Sequence, residues 1–447
     1  MMLFMMFGWV EAVSLMLLLL ALATTKALRL SPKQYNALQL LYDSTEGLNW
    51  VYPSDEQSVP WNFSDPSSDP CEDHWSGVTC RNASSSTSTS CCSSVAATNE
   101  VIQLDLSMHH LAGLIPECFA TNMTSLEVMD LHDNDLTGTI PSELGSLSSL
   151  EGLYLSDNDL SGSLPSIFGN FSDLQFLNVS FNRFTGQIPS TLYHLSSLVQ
   201  MSVQSNLFTG SMVVPSSEGL ELVDVSDNKF TESLPSNLPE IAPMLSILDA
   251  SRNCLSLEIP VNLCDLTNLT TLVLNGIHQS ERCDDSFSPF SAFWKKRVPD
   301  CLLQKSSLET LQLAGNGLSG DIGELDLPKV KSFSIAGNKF RGELPLNLRN
   351  NSFEVFDISN NQIKGYLDVD IVSAFGNKSR STTYRADVNR LSGRLNLDSI
   401  STFTDVSVLD GNLISCKTLP SSDEDYDNYN CGSSSLELSL KLWGYPS

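Results

Sequence analysis

The chain has 447 residues, which is more than one ordinary globular core holds, so it forms either several domains or one elongated repeat array. Its 25 Lys and Arg residues against 52 Asp and Glu residues give a net charge of −27, and its apolar content is 41%. This balance argues against nucleic acid or an anionic membrane surface as a partner, because both require a basic surface, and the apolar content is too high for a disordered acidic tail.

Residues 1–27 are predicted to be a secretory signal peptide. A largely apolar run from Val13 ends in Ala21-Leu22-Ala23, which is a small-x-small cleavage pattern. Glu11 and the lack of Lys or Arg ahead of the run depart from that pattern, so an uncleaved membrane anchor is the alternative. Eleven cysteines are typical of an oxidising compartment, and we expect a secreted or cell-surface protein. Glycosylation is expected at eight Asn-x-Ser/Thr sequons: Asn62, Asn82, Asn122, Asn170, Asn178, Asn268, Asn350 and Asn377.

Residues 28–100 differ in pattern from the rest of the chain. Ser31, with Pro32 after it and Gln34 three residues on, is typical of a helix N-cap, and a helical apolar stripe comes next at Tyr35, Leu38, Leu41 and Tyr42. Cys71 and Cys80 suit a small disulfide loop. Three tryptophans predict an apolar lid, with a ligand pocket as the alternative: Trp50, Trp61 and Trp75.

A repeat runs from Val101 onward and is most regular at 126–197. Three copies of L-x-x-L-x-L-x-x-N-x-L-x-G-x-I/L-P succeed one another at intervals of 24 residues, and such a period predicts a solenoid in which each copy is one coil. His109 takes the Asn place in the first coil, where we expect a half-exposed position, with a metal ligand as the alternative. The repeated Asn places form a ladder at Asn134, Asn158, Asn182, Asn206, Asn228, Asn253, Asn316, Asn338 and Asn361, with weaker echoes at Asn389 and Asn412.

The repeat has a physical explanation. Its central L-x-L is a short strand, and strands of successive coils are expected to pair in parallel over a continuous Leu core. The Asn carboxamide can satisfy backbone groups of its own coil and of the next one. The Gly four residues after the Asn permits a backbone conformation that a Cβ would obstruct, and the Pro is expected to start an extended segment.

The array is interrupted after Asn253. One coil begins at Leu269 and then fails, because Ile277 stands in the ladder place, and residues 276–307 form an island without repeat phase. Cys283 and Cys301 are predicted to pair, although Cys254 and Cys264 can pair with each other or with these two. The predicted organisation is therefore a cap at 28–100, repeats at 101–275, the island, repeats at 308–412, and a closing cap at 413–447 with Cys416 and Cys431 around an acidic loop.

These residues resemble the plant-type leucine-rich repeat family, and the segment ending in Asp69-Pro70-Cys71 and Trp75-Ser-Gly77-Val78-Thr79-Cys80 resembles its N-terminal cap. The resemblance implies a right-handed superhelical repeat solenoid, with disulfide caps and a concave face of parallel strands that binds partners. Family members are mostly receptor-like proteins, and some are soluble inhibitors of secreted glycosidases. Glu232 and Leu257 depart from the pattern by replacing the repeat Gly. No kinase domain or membrane helix follows the repeats in this sequence, so a receptor role is expected only if the protein acts with a membrane co-receptor or the sequence is a fragment of a longer receptor.

No motif predicts catalysis, a cofactor or a metal site. Gly315-Asn-Gly317-Leu-Ser-Gly320 matches a dinucleotide-binding pattern only because the repeat demands Asn316 and Gly320 there. The stretch that starts at Asp133 resembles a calcium loop, but Leu144 occupies its twelfth position. We therefore expect a protein that is not an enzyme.

Candidate binding residues are given by repeat phase and by the island. Residues six, four, two and one before each ladder position are expected to point outward on the concave face; the alternative is that they are ordinary solvated strand positions. Asn178 is both on that face and in a sequon, so a glycan there would obstruct the face. The island carries aromatic residues and a basic cluster, which either bind a ligand or pack on the solenoid. The candidates are Asp130, His132, Tyr154, Asp157, Phe176, Phe181, Asp224 and Arg252 on the face, and Phe293, Trp294, Lys295, Lys296 and Arg297 in the island.

The sequence thus predicts an extracellular recognition protein for a protein, peptide or glycan ligand. A secreted inhibitor of extracellular hydrolases and a structural matrix or wall protein are the alternatives.

Overall fold

A computed structural model describes residues 30–54, 58–65, 67–82, 99–256, 258–277, 283, 297–322, 325–345, 348, 351, 353–367, 383–394, 405–407 and 411–415. The predicted signal peptide, Leu257, Asn350, Asn377, Cys416 and Cys431 lie outside these residues, and so does the side chain of Asn82. The chain divides into two compact units, Met1–Leu160 and Ser161–Ser447, which are described one at a time.

The first unit begins with the predicted helical cap. Its helix is Pro32–Ser44, with Ser31 as the N-cap and the Ser31 hydroxyl accepting a hydrogen bond from the Gln34 N–H. The cap continues through a 3₁₀ helix at Gly47–Asn49 and a strand at Val78–Asn82. The Cys71–Cys80 disulfide forms as predicted. The predicted lid is also confirmed, because three tryptophan rings are buried and pack on one another: Trp50, Trp61 and Trp75.

The cap is joined to the first coil by backbone pairing. Strand Val78–Asn82 pairs antiparallel with Asn99–Asp105, which opens the repeats. The N–H of Val51 donates to the His109 carbonyl at 2.9 Å, and the Tyr52 ring stands edge-on to the imidazole with the ring centroids 5.7 Å apart. The loop that contains Val51 and Tyr52, called the cap loop below, therefore covers His109. This residue is buried and not half-exposed as the sequence suggested.

The repeats of the first unit form parallel strands in chain order. After Asn99–Asp105, the main sheet continues through Val128–Asp130 and Gly152–Tyr154, with Asp105, Asp130 and Tyr154 in one register row. A second set of strands lies after the ladder positions, at Ala112–Gly113, Asp135–Gly138 and Asp159–Gly162, the last of which spans the boundary between the units. Helix Glu117–Ala120 and 3₁₀ helix Ser142–Ser146 close the coils.

The second unit repeats the same plan. Its main-sheet strands, all parallel where the structure describes their pairing, are Phe176–Asn178, Gln200–Ser202, Leu222–Asp224, Ile247–Asp249, Thr271–Val273, Thr310–Gln312, Ser332–Ser334, Val355–Asp357, Thr383–Arg385 and Asp405–Ser407. The strands after the ladder are Arg183–Gln187, Leu207–Gly210, Lys229–Phe230, Ser319–Asp321, Lys339–Glu343, Gln362–Leu367, Arg390–Arg394 and Leu413–Ser415. The short helices are Ser166–Asn170, Ser190–His194, Leu238–Ile241, Val261–Asp265 and Asp300–Leu303.

The repeat proline has a different role from the one expected. Pro141, Pro165, Pro189 and Pro260 each have an extended backbone, but a 3₁₀ helix starts at the next residue. The sequence had predicted a longer extended segment. A proline suits the position directly before a helical turn, because its missing N–H is not needed there.

The Asn ladder is confirmed, with one correction to its direction. The Asn206 amide donates to the carbonyls of Val179, Val203 and Gln204, and its Oδ1 accepts from the Phe184 N–H. Each carboxamide thus bridges its own coil to the preceding one, whereas the sequence argument had it bridge to the next. Asn389 and Asn412, expected to be weaker echoes, make the same bonds as the earlier positions.

The coil at Leu269 does not fail. Strand Thr271–Val273 pairs on both sides, with Ile247–Asp249 and with Thr310–Gln312, and Ile277 is buried in the ladder place. The return half of this coil comes from the end of the island. Val298-Pro299-Asp-Cys-Leu302 repeats the Ile140-Pro141-Ser-Glu-Leu144 pattern, and Val298 and Leu302 are buried. Pro141 follows its ladder residue by 7 positions and Pro299 follows Ile277 by 22, so 22 − 7 = 15 residues are inserted, and the statement that 276–307 has no repeat phase is wrong for its last part.

The predicted Cys283–Cys301 disulfide is also wrong. Cys283 pairs with Cys254 and Cys301 pairs with Cys264, so each of these two island cysteines is joined to the coil that precedes it. The physical reason is the regular geometry of the array: Cys264 lies in the 3₁₀ helix Val261–Asp265, which packs beside helix Asp300–Leu303, while Cys254 directly follows its ladder Asn. Within the described part of the chain, Cys118 is the free cysteine, and no helix is both long and apolar enough to cross a membrane.

Candidate functional site: the strand face of the repeats

The strand face is the surface formed by the outward residues of the main-sheet strands and by the two residues just before each ladder position. The ladder residue is preceded by a left-handed backbone in most coils. Asp133, Asp157, Phe181, Ser205, Asp227, Arg252 and Asn360 all have φ between 51° and 55°. The N–H of this residue bonds to the next coil, as from Phe181 to the Gln204 carbonyl at 2.9 Å and from Asp227 to the Ser251 carbonyl at 3.0 Å. The fold therefore requires the left-handed conformation here whatever the side chain is.

A second local motif removes part of the face from solvent. Where Asp stands four residues before the ladder and Ser two residues before it, the carboxylate accepts from both the N–H and the hydroxyl of that Ser. The pairs are Asp105–Ser107, Asp224–Ser226, Asp249–Ser251 and Asp357–Ser359. Ser251 and Ser359 are buried as a result, so the expectation that this position points outward is wrong for them.

In the first unit, the strand face places four predicted residues together. Asp130 and Tyr154 are register neighbours, and the His132 imidazole lies 2.7 Å from an Asp130 carboxylate oxygen, so this His takes the place of the turn Ser. Burial, and secondarily the Asp130 charge, raise the pKa of the Tyr154 phenol. Asp157 is exposed beside them in the left-handed position. The group offers carboxylates and a protonated phenol, which can hydrogen-bond a polar ligand.

In the second unit, the strand face starts with two aromatic residues. Phe176 is half-buried at the start of its strand, and Phe181 is 51% exposed in the left-handed position. This conformation costs an L-residue about 1–2 kcal/mol and is unusual for a bulky side chain. Gln204 stands in the next coil where other coils have the turn Ser, and its side-chain oxygen is buried without a hydrogen-bond partner among the described residues.

The sequon at Asn178 is engaged in the fold. The Asn178 oxygen accepts from the Ser180 N–H at 3.1 Å and from the Ser180 hydroxyl at 2.6 Å, and Ser180 is buried. The sequons at Asn62, Asn170 and Asn268 instead present exposed Asn side chains, away from the main-sheet strands. A glycan at Asn178 would be attached to Nδ2, which neither of these bonds uses, so the turn is compatible with a glycan that would obstruct the face beside Phe176.

Further along the second unit, the face is acidic. Asp224 and Asp249 are register neighbours on adjacent strands, and burial raises the pKa of both carboxyls. For Asp224 the neighbouring Asp249 charge raises it further. The Arg252 guanidinium lies 3.2 Å from an Asp227 carboxylate oxygen in a largely exposed pair. Arg252 is thus available on the face, but partly committed to Asp227.

The island candidates are not gathered on this face where the structure describes them. Phe293, Trp294, Lys295 and Lys296 lie outside the described residues. The backbone of Arg297 forms a parallel β-bridge with Ser319, at the start of a strand that lies after the ladder. The Arg297 guanidinium pairs with the Asp300 carboxylate at 3.3 Å. Arg297 therefore belongs to the opposite side of its coil from the main-sheet strands.

Comparison with known proteins agrees with this architecture. Family models described as leucine rich repeat match residues 101–160 and 173–195. A segment of 124 residues is 35% identical to the LRR receptor-like serine/threonine-protein kinase GSO2 of Arabidopsis thaliana. The repeats of this chain are leucine-rich repeats of the plant type. The match to GSO2 covers 26% of this leucine-rich-repeat protein and 10% of that kinase, so the chain spans only a small part of the length of that relative.

Solved structures extend the similarity to most of the leucine-rich-repeat protein. The ectodomain of the plant receptor kinase GASSHO1/SCHENGEN3 from Arabidopsis thaliana, in complex with CASPARIAN STRIP INTEGRITY FACTOR 2, is 26% identical with a TM-score of 0.60, covering 85% of this chain and 47% of that one. The PEPR1–AtPEP1 complex has the same TM-score at 23% identity, covering 85% of this chain and 51% of that one, and shows the fold alone. This structural similarity to ectodomains agrees with the expectation of a protein that is not an enzyme.

Proposed function

We propose that the protein is an extracellular, receptor-like recognition protein that binds a peptide ligand through the strand face of its repeats. The exposed Phe181 carries this proposal. Its backbone conformation favours Gly, Asn or Asp, and about half of its aromatic side chain is exposed to water and so does not contribute to packing in the fold. Aromatic residues of this kind are frequent anchors in binding interfaces.

The surroundings of Phe181 favour a peptide. Phe176 adds apolar surface to the same face. Asp224 and Asp249 further along the face favour basic or hydrogen-bond-donating side chains. Among proteins of similar fold, the HAESA ectodomain was solved with the peptide hormone IDA and the co-receptor SERK1.

Extracellular location and a co-receptor complete the proposal. The described residues form three disulfides, which are typical of oxidising compartments. A membrane co-receptor would carry the signal after binding. The island residues Phe293 to Lys296 are proposed as a second contact for the ligand, and replacing Lys295 and Lys296 with Ala tests that contact separately.

The test is capture of peptides from extracellular fluid by the purified protein, followed by mass spectrometry and titration of the captured peptide. Phe181→Asn is expected to weaken binding at least about tenfold, the scale of losing one aromatic anchor. Tyr193→Asn is the matched control, because Tyr193 is 41% exposed on the 3₁₀ helix of the same coil, away from the strand face. Equal binding by wild type and Phe181→Asn contradicts the proposal. Inhibition of a purified wall-degrading hydrolase, unchanged by Phe181→Asn, would favour the inhibitor alternative.

A further inference from the structure

The first unit contains a groove at the cap end of the strand face, where the Asp105–Ser107 turn forms part of its lining. It lies between the cap loop and the turn after strand Asn99–Asp105, and its volume is about 620 Å³. This volume falls in the range of roughly 300–1,000 Å³ that is usual for small-molecule sites. Tyr52 and Trp75 supply its aromatic walls, and Met108, which is 62% exposed, stands at its rim.

His109 lines this groove, and one of its ring nitrogens is only weakly hydrogen-bonded. Its Nδ1 lies 2.6 Å from the Ser107 carbonyl oxygen, which can only accept, so Nδ1 carries a proton and Nε2 of the neutral ring is an acceptor. The nearest partner of Nε2 is the Ser76 hydroxyl at 3.5 Å, the outer limit of a hydrogen bond. His109 is only 5% exposed, so solvent does little to compensate this nitrogen.

The ladder does not require an imidazole. In the next coil the Asn134 amide donates to the carbonyl two residues earlier, at 3.1 Å, which is the same bond that His109 makes to Ser107. An Asn at 109 could make it equally well. What His109 adds is the second ring nitrogen, Nε2, which makes no ladder hydrogen bond and whose nearest partner, Ser76, lines the groove.

The other fixed polar group of the groove is also an acceptor. One oxygen of Asp105, Oδ1, is held by the N–H and hydroxyl of Ser107, at 3.2 and 2.8 Å, while Oδ2 has no hydrogen-bond donor among the described residues. None of the described residues that line the groove is Lys or Arg. A ligand here meets a carboxylate, an acceptor nitrogen and aromatic rings in a chain of net charge −27.

The geometry points to an organic cation as the ligand of this groove: a primary ammonium or guanidinium group that donates hydrogen bonds to Asp105 and His109 and rests against Tyr52. Such a group matches two acceptors at once, and its charge is stabilised both by the carboxylate and by the faces of aromatic rings. An anion is disfavoured by Asp105. The cation can come from a basic side chain of a peptide or from a free polyamine, which present the same chemistry.

Calorimetric titration of the full chain distinguishes these sources. The probes are short peptides with capped termini that are uncharged except for one variable residue, which is Lys, Arg or the uncharged norleucine. Spermidine and maltose are titrated alongside them. The Lys and Arg peptides, or spermidine, are expected to bind at least about tenfold more tightly than the norleucine peptide and maltose, because a charge-assisted hydrogen bond is absent from those two. Binding of the peptides without spermidine assigns the side chain as the source, and binding of spermidine assigns the free amine.

Two variants and a control locate the binding. The variants are produced without N-glycosylation, because Asp105→Asn and Asp357→Asn each create an Asn-x-Ser sequon. Asp105→Asn and His109→Asn are each expected to weaken cation binding at least about tenfold, while unfolding at nearly the wild-type temperature. Asp357→Asn is the matched control, because Asp357 makes the same bonds to Ser359 in the second unit and should bind cations like wild type. Tight binding of the norleucine peptide or of maltose alone, no cation binding at about 10 mM, or unchanged binding by both groove variants would overturn the inference.

Discussion

Replacing Asn206 by Ala removes a carboxamide that joins two coils. Its amide nitrogen donates to three carbonyl oxygens at 3.0 to 3.2 Å, and its oxygen accepts from the Phe184 N–H at 3.0 Å. Asn206 is 1% exposed, so water cannot replace these bonds without opening the coil. The amide nitrogen has two hydrogens to share among the three carbonyls, so at about 1 kcal/mol net for each of two donated bonds and one accepted bond the free energy of unfolding should fall by about 3 kcal/mol.

Urea titration monitored by far-ultraviolet circular dichroism measures this loss. The control is Asn262→Ala, an exposed Asn on the 3₁₀ helix Val261–Asp265, which should change the free energy by no more than about 0.5 kcal/mol. Because repeat arrays can unfold in segments, the slope of the transition is compared as well as its midpoint. A loss below about 1 kcal/mol for Asn206→Ala, with an unchanged slope, would refute the ladder argument.

Three further predictions concern the strand face and the island. Phe181→Asn should raise the free energy of unfolding by about 1 kcal/mol in urea titration, because Asn tolerates the left-handed backbone; a decrease would show that the Phe181 ring supports the fold. In protein produced without N-glycosylation, Asp224→Asn and Asp249→Asn should stabilise the protein at pH 7, because burial raises the folded-state pKa of both carboxyls and so penalises their ionised forms. That gain should fade as the pH falls through the raised folded-state pKa and be lost below the unfolded value of about 3.9, so a gain that persists at pH 3 would contradict it. Peptide mapping without reduction should link Cys254 to Cys283 and Cys264 to Cys301, and Cys264→Ser with Cys301→Ser should cost up to about 4 kcal/mol in the chain-entropy model; a Cys283–Cys301 peptide would contradict the pairing.

Most of the fold was predictable because the repeat encodes it locally. The phase of Asn134, Asn158 and Asn182 set the strands, the ladder and the core, and Ser31-Pro32 set the start of the cap helix. The return of the pattern at Val298-Pro299 was missed because 15 inserted residues separate it from Ile277 and Val replaces Ile or Leu. Disulfide partners depend on which segments meet in space, which spacing along the chain does not determine.

The candidate site was predictable only in position. Repeat phase located the outward residues, but not which of them the fold uses for itself. The Asp-x-Ser pairs were visible in the sequence at Asp224-Val-Ser226 and Asp249-Ala-Ser251, and their common spacing could have identified the turn. The left-handed position of Phe181 and the burial of His109 could not be found in this way, because both result from contacts with a neighbouring coil or with the cap loop.

Hydrogen–deuterium exchange of the protein with and without its captured peptide tests most directly whether the strand face binds the ligand. Bound peptide should slow exchange of backbone amides at 176–181 and 200–205, while the 3₁₀ helices Ser166–Asn170 and Ser190–His194 keep their rates. Slower exchange confined to those helices, or to strands Arg183–Gln187 and Leu207–Gly210, would place the ligand on another surface and contradict the account.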